Sequence, residues 1–444
     1  MQRLVEVKEF DSIIRESEYS DDYNFKSLSE TEFSWVMDFA KEYTSMEEGD
    51  SDALEFMRIG YKKPYGDVIT LKNYVGLIQL KNGFQIQVLP KITFDSGDDA
   101  GNERTKKVFL KMLRSMKDFP GKIFNEASLK VSKMNLYELF INMYLQEVRQ
   151  LLKRGIRSSY IETEDNLRFY KGKLLVNQHI KANVAHRERF YVSYEEFHPN
   201  RPENRLIKST LLKLQKISSS AENSKEIRQM LTHFEMVEPS SNYEKDFSKV
   251  VIDRNTKDYD MLMKWSKVFL LNRSFTTFSG DTTSRALLFP MEKVYESYVA
   301  REMKKAFMPD GWLVSSQDHG YYLFDEPRSQ FALRPDIVMK RGDRTIVMDT
   351  KWKRLMDNDY LNYGISQADM YQMYAYSKKY ETPEIWLLYP ETEEMRDHKP
   401  IEYVSMDPSM ETHVHVHFVD LEHIEDNLQL LKEKISIEVG NDGV

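Results

Sequence analysis

Two stretches, RPDIVM at 334–339 and TIVMDTK at 345–351, decide the reading of the C-terminal part of this chain. Both are dominated by apolar β-formers, and Lys340-Arg341-Gly342-Asp343-Arg344 between them is turn-like, so they read as the two strands of a hairpin. Side chains alternate across a strand, which places Asp349 and Lys351 on one face and Met348 and Thr350 on the other. Asp336 opens the partner strand, so two carboxylates and an ammonium converge at one end of the hairpin. Charge beside a buried sheet is costly unless it is compensated. Two carboxylates repel unless a cation lies between them, and hard oxygen ligands favour Mg²⁺, with Mn²⁺ as the alternative. A lysine two residues on can hold a water or meet charge developing on a phosphate, and metal plus lysine suffices for phosphodiester hydrolysis. A plain salt bridge from Lys351 to Asp349 or Asp336 is the simpler reading of any isolated Asp-x-Lys. The Pro-Asp strand, short turn and apolar strand around it make the pattern far more restrictive.

Around this hairpin the periodicity alternates between helix and strand. A helix is expected from Pro290 to Phe307 and another from Gln367 to Lys379. Strand-like runs fall at Trp312–Val314, Tyr321–Phe324 and Ile385–Tyr389. The order is that of an α/β domain. His413-Val-His415-Val-His417 puts three imidazoles on one strand face, which invites a metal-site reading. Strict alternation with valine is equally the pattern of a half-exposed strand, and that reading is preferred.

The 444 residues suggest two to three domains. With 41% hydrophobic and 30% charged residues the composition is that of a globular protein. No run of apolar residues is long enough to span a bilayer. The opening MQRLVEVKEFDSII is too acidic and too interrupted for a secretory signal, so a cytoplasmic protein is expected. The absence of cysteine excludes a disulfide scaffold, a thiolate nucleophile and a cysteine-ligated zinc or iron–sulfur site. The net charge of −8 is unevenly spread: residues 9–55 hold fifteen acids and three bases, so the rest of the chain is slightly basic. The acidic segment reads as a solvated face or as a docking surface for a basic partner.

The first hundred residues read as a small α+β unit. Ser29-Glu30-Thr31-Glu32 has capping-box spacing ahead of a helical pattern through Trp35, Val36, Phe39 and Tyr43. VITL, VGLIQL and FQIQVLPKI follow as strands, with Lys81-Asn82-Gly83 supplying a tight hairpin turn and Pro90 ending the pairing. SGDDAGN at 96–102 is the candidate boundary. The middle of the chain is mostly helical in pattern, with Leu136, Leu139, Phe140, Met143, Tyr144 and Val148 at helix spacing, and Leu206, Leu211, Leu212 and Leu214 after Asn204. Residues 146–190 carry ten bases against five acids, interleaved with Tyr160, Phe169, Tyr170 and Phe190. Two readings fit equally: backbone contact and stacking on nucleic acid, or a solvated helix surface over aromatic core residues.

The hairpin residues resemble the PD-(D/E)xK nuclease superfamily, and more closely the McrC family, the nuclease subunit of McrBC-type, 5-methylcytosine-specific restriction systems. FPMEKVYESYVA at 289–300 resembles the helix preceding the active-site sheet, where Glu296 (or Glu292) would add a carboxylate. DMYQMYAY at 369–376 resembles the following helix, with Gln372 and Tyr376 fitting the QxxxY motif of RecB-like nucleases. VGLIQLKNGFQIQVLPKI at 75–92, LRFYKGKLLVNQHIKAN, YEEFHPNRPENRLIK and the Gly155-Ile-Arg157 turn are similar to other family segments, so the likeness touches most of the chain.

The resemblance implies an α+β multidomain protein: an N-terminal α/β region (1–100) that docks a partner, a mainly helical middle region (101–280), and a restriction-endonuclease-like α/β domain (281–444). It implies an endodeoxyribonuclease in which Asp336, Asp349 and the carbonyl of Thr350 hold Mg²⁺ and Lys351 positions or activates the attacking water. Glu296 would be an accessory ligand, and Gln372 and Tyr376 would orient the site or the DNA backbone. Lys353 and Arg354 would either contact phosphates or be solvated. The implied partners are double-stranded, modified DNA and a McrB-like AAA+ GTPase hexamer that the chain stimulates. No G-x-x-x-x-G-K-[ST] loop occurs, and Phe119-Pro120-Gly121-Lys122-Ile123 lacks its hydroxyl and upstream glycine, so any nucleotide-driven step belongs to another chain. A non-catalytic activator of the ring and a self-sufficient RecB-like nuclease are the rival readings.

Overall fold

The computed structural model describes residues 4–16, 25–44, 56–80, 82–92, 99–116, 135–254, 256–271, 285–408 and 410–441. Parts of the acidic segment (17–24 and 45–55), the start of the 96–102 boundary and the whole of Phe119–Ile123 lie outside these residues. The chain divides into two compact units. One is built from residues 1–119 and 281–444, the other from 120–280.

In chain order the first unit begins with β1 (Leu4–Lys8), β2 (Ser12–Arg15), β3 (Phe25–Leu28), α1 (Glu30–Thr44), β4 (Met57–Lys62), β5 (Gly66–Leu71), β6 (Tyr74–Gln79), β7 (Gln85–Leu89) and α2 (Asp99–Leu113). Glu32 reaches back to accept hydrogen bonds from the Ser29 backbone N–H and hydroxyl, which closes the expected cap of α1. Val36 and Phe39 are buried on this helix, whereas Trp35 stays partly exposed. In the turn between β6 and β7, the Asn82 side chain accepts from Phe84 N–H at 3.0 Å, and Gly83 adopts a φ of 85°. β7 ends at Leu89, ahead of Pro90, which has no N–H for a ladder. Strands β3-β2-β5-β4 form one sheet.

The second unit contains α3 (Leu136–Arg154), β8 (Ser159–Leu167), β9 (Lys173–Leu174), α4 (Val176–Ala182), β10 (Phe190–His198), α5 (Pro202–Ile217), α6 (Ala221–Thr232), α7 (Tyr243–Ser248) and α8 (Asp260–Leu271). The helical stripes read from the sequence are its core: Leu139, Phe140, Tyr144, Leu206, Leu211 and Leu214 are fully buried. Two buried polar residues organise it. Glu138 accepts from Ser219 and Ser220 N–H, the Ser218 hydroxyl and Asn223, so its carboxylate closes the N-terminus of α6. Asn204 donates to the carbonyls of Arg157 and Pro199 and accepts from the Tyr259 hydroxyl, which joins the Gly155-Ile-Arg157 turn to the HPNRPEN stretch. The basic and aromatic segment is of both kinds: it takes in the end of α3, β8, β9 and α4. Its strands join β10 in the three-stranded sheet β8-β10-β9, with Tyr160, Phe169 and Tyr170 exposed and Tyr160 paired across strands with Phe197. Its charged, weakly apolar strands show little of the alternation by which strands are recognised.

The first unit resumes with β11 (Arg285–Pro290), α9 (Met291–Phe307), β12 (Leu313–Ser316), β13 (Tyr322–Phe324), β14 (Gln330–Ala332), β15 (Ile337–Arg341), β16 (Arg344–Thr350), α10 (Gln367–Tyr380), β17 (Glu384–Pro390), β18 (Ile401–Ser405), β19 (Thr412–Val419) and α11 (Ile424–Asn441). β11 returns to the N-terminal strands and completes the sheet β1-β7-β6-β11. The remaining long strands form a six-stranded sheet, β12-β15-β16-β17-β19-β18, in which β15 and β16 are the antiparallel hairpin and β16, β17 and β19 run parallel. α10 is the crossover between β16 and β17. Met373, Tyr376 and Tyr380 on it bury Val347, Ile385, Leu387, Val414 and Val416 of one sheet face. α11 covers the opposite face, where Arg344 donates to the carbonyl of Ile435 and His417 bonds Asn427. The fold is thus mixed α/β.

Gly76 of β6 sits opposite Leu288 with a φ of 145°, and a Cβ there would lie 1.9 Å from the carbonyl oxygen of Leu287. Neither strain nor overlap can be relieved without separating β11 from β6. Gly76→Ala is therefore expected to destabilise the protein by about 3 kcal/mol or more, read as a lowered urea midpoint.

Candidate active site

Asp336 lies immediately before β15 and Lys351 immediately after β16, so both sit at the same end of the hairpin. The strand register pairs Ile337 with Met348, which brings Asp336 beside Thr350. One carboxylate oxygen of Asp336 accepts from Thr350 N–H at 2.7 Å and from its hydroxyl at 2.6 Å. Asp349 is 2% exposed, and its carboxylate lies 2.6 Å from the Lys351 ammonium. Lys351 also donates to Gln372 Oε1 at 2.9 Å, and Gln372 Nε2 donates to the Tyr376 hydroxyl at 2.7 Å. Asp336, Asp349, Thr350, Lys351, Gln372 and Tyr376 thus form one connected polar cluster at the edge of the buried sheet. The salt bridge named as the simpler reading is part of it.

Glu296 approaches from α9. It accepts from Gln317 Nε2 at 2.8 Å and shares its electrostatic environment with Asp336, while Glu292 one turn earlier is exposed. Burial, then the charge of Asp336, pushes the Glu296 carboxyl up to about 7. Burial and then Asp336 likewise push Asp349 to about 7, against the lowering effect of Lys351. Asp336 is itself raised by burial. Burial disfavours the charge of Lys351, yet Asp349, Asp369 and Asp336 around it hold its ammonium above the usual lysine range. Three carboxyls raised together beside a firmly charged lysine mark a site with more negative potential than its own residues neutralise.

Three residues here were not singled out by the sequence. Asp369, at the start of α10, lies 3.6 Å from Lys351 and 2.7 Å from Lys353, so Lys353 is partly committed to an ion pair. Its place at i−3 to Gln372, one helical turn away, was the available signal. Glu9, just past β1, is fully buried. It accepts from Trp352 Nε1 at 2.9 and 3.0 Å and from Lys91 N–H at 2.8 Å, and burial raises its carboxyl to about 8. Gln317, after β12, holds Glu296. No local pattern announces Glu9 or Gln317, because their partners are remote in sequence. Arg354 is exposed, beside a small cavity lined by Glu9, Lys91, Trp352 and Thr392.

Residues 69–390 match the family described as McrBC 5-methylcytosine restriction system component. The chain belongs to this family. The family likeness read from the hairpin and its flanking helices is thereby borne out. Among solved structures, the chain is similar to one in the refined half-complex from a tetradecameric assembly of Thermococcus gammatolerans McrB AAA+ hexamers with bound McrC. That match has 18% identity and a TM-score of 0.68, and covers 98% of this chain and 100% of the other. A second likeness, to the cryo-EM structure of the Thermococcus gammatolerans McrBC complex, has 18% identity and a TM-score of 0.48, and covers 69% of this chain and 88% of the other. The first of these shows a shared fold across almost the whole of this McrBC-family chain. No curated protein matches it. Among the described residues, no helix is long and apolar enough to cross a membrane.

The raised carboxyls set the sign of a pH effect. A carboxyl whose pKa is higher in the folded than in the unfolded state favours folding most below the unfolded value, and that advantage is lost as pH rises through the folded value. For Asp349, Glu296 and Glu9 this window runs from about 4 to about 7 or 8. Lys351 stays charged throughout it. In metal-free buffer, stability is expected to fall between pH 5 and pH 8. Asp349→Asn is expected to recover on the order of 1–3 kcal/mol at pH 8, measured by chemical denaturation.

Proposed function

We propose that this chain is the endonuclease component of a McrBC-type restriction system, hydrolysing DNA phosphodiesters with Mg²⁺ in assembly with a AAA+ GTPase. The observation that carries this reading is the convergence of Asp336, Asp349 and Lys351 at one end of the hairpin, with Glu296 brought in from α9. The six-stranded sheet, its hairpin and the flanking α9 and α10 correspond to a restriction-endonuclease-like PD-(D/E)xK domain.

The residues fit a hard divalent cation. The donor set is all oxygen, and its carboxyls are raised by burial first, with the charge of Asp336 adding to it at Asp349 and Glu296, a cost that a cation would relieve. The buried Tyr295 and Tyr389 hydroxyls have no hydrogen-bond partner among the described residues, and the charges of Asp336 on the first and of Asp369 and Asp349 on the second are felt there. Asp336, Asp349 and the carbonyl of Thr350 would hold Mg²⁺ or Mn²⁺, with Glu296 as an accessory carboxylate. Mg²⁺ would supply neutralisation of the phosphate and make a neighbouring water more acidic.

The protein's own groups do the positioning. Thr350 fixes one oxygen of Asp336 and leaves the other to face the site. The Lys351 ammonium, held between Asp349 and Gln372, would position or activate the attacking water and meet charge developing on the phosphate. Gln372 and Tyr376 set the direction of that ammonium. The McrB AAA+ hexamers with bound McrC in the similar structure support an AAA+ hexamer as partner. GTP hydrolysis and recognition of modified DNA would reside in that ring.

Cleavage of methylated and unmethylated plasmid in Mg²⁺ tests the reading, with the chain alone and with its neighbouring AAA+ protein and GTP. Cutting is expected only in the full assembly and on methylated DNA. Asp349→Ala and Lys351→Ala are expected to lower the rate at least about a hundredfold while assembly persists. Wild-type rates in both variants would remove the site assignment. Cutting by the isolated chain would favour a self-sufficient nuclease, and stimulated GTP hydrolysis without cutting an activator.

A further inference from the structure

The face of the six-stranded sheet opposite Asp349 carries a second cluster of ligating groups. His413 and His415 project from β19 on the side of Trp386, and Glu402 of the edge strand β18 is the direct cross-strand partner of His415. One ligand atom from each of Glu402, His413 and His415 lies within 4.8 Å of the other two. Glu402 Oε1 is 2.6 Å from His413 Nδ1 and 3.9 Å from His415 Nδ1. Those separations bracket the roughly 3.3 Å expected between ligands of a tetrahedral zinc ion with bonds of about 2.0–2.1 Å.

We propose that Glu402, His413 and His415 form a Zn²⁺ site that clips the edge strand β18 to β19, with a fourth position open to solvent. Two features beyond proximity support it. The other ring nitrogen of His413, Nε2, lies 3.3 Å from Glu411, the carboxylate–imidazole arrangement that orients metal-bound histidine. His415 is stacked on Trp386 at 4.5 Å, and Trp386 is fixed in turn by Glu384 at 3.0 Å, so this ligand is held before any ion arrives. His417, third in the alternating run, takes no part. It is buried, and its Nε2 bonds Asn427 of α11 at 3.0 Å. Glu402 comes from across the ladder, where no sequence pattern links it to the histidines. Imidazole nitrogen selects Zn²⁺ over Mg²⁺, so the two faces of one sheet would hold different metals.

The test is a Zn²⁺ titration of the untagged, metal-stripped full chain in excess Mg²⁺, followed by competition with a chromophoric chelator and by thermal melting. Wild type and Asp349→Ala are expected to bind a single Zn²⁺ and to melt at higher temperature with it. Glu402→Gln and His415→Ala are expected to weaken binding at least about tenfold and to lose the zinc-dependent shift. Glu402→Gln preserves shape on an exposed strand, so it stays informative if His415→Ala unsettles Trp386. No Zn²⁺ bound by wild type, or undiminished binding by Glu402→Gln, would overturn the proposal. Loss of Zn²⁺ in Asp349→Ala would also overturn it, by placing the ion among the other carboxylates.

Discussion

Glu296 on α9 and Asp336 and Asp349 at strand ends are acidic groups partly or wholly withdrawn from water, and the unit around them is organised by the cost of keeping them there. Burial alone would protonate or expel them. Thr350 satisfies one oxygen of Asp336 twice over, Lys351 stands against Asp349, and Gln317 holds Glu296 from a third direction. The apolar sheet core packed by α10 makes this possible. It fixes β15 and β16 so firmly that the strand ends cannot splay to relieve the repulsion. A site of this kind is destabilising by itself and is tolerated because the packing around it is stable.

The second half of that scaffold is the N-terminal sheet. Glu9 reaches across to Trp352, the residue after Lys351, and accepts its indole N–H while Tyr295 packs on the same ring. The backbone immediately beyond the lysine is therefore held from outside the six-stranded sheet. A deeply buried carboxyl used in this way is more than a filler. Its bonds to Lys91 N–H and to Trp352 make it a polar joint between the ends of β1, β7 and β16.

What could be read in the sequence is what depends on near neighbours. The 337–350 hairpin, the helices at 291–307 and 367–380 and the Asn82-Gly83 turn follow from alternation, helical spacing and turn chemistry. Asp336, Asp349 and Lys351 could be placed together because a two-strand register is short-range geometry. Gln372 could be tied to them only through a family likeness, and Asp369 one turn earlier passed unremarked. Glu9 with Trp352, Gln317 with Glu296, and Glu402 with His415 are pairings between elements whose approach no periodicity encodes. The sheet β8-β10-β9 was missed for a different reason: its faces are charged or aromatic and largely exposed, so the hydrophobic alternation that betrays a strand is weak.

The discontinuous first unit has a consequence for how the chain is made. β6 cannot acquire β11, its neighbour in the completed sheet, until residues 120–280 have left the ribosome. At about 5–20 residues per second that is a delay on the order of ten to thirty seconds. During it, β6, which is buried along its whole length in the completed sheet, presents an unpaired edge to other nascent chains, the circumstance in which strands pair wrongly. The inserted unit, whose contacts lie within one continuous stretch, can meanwhile finish folding on its own. The order of synthesis therefore lets the middle unit finish first, while the junction at Gly76 waits until that unit has been made.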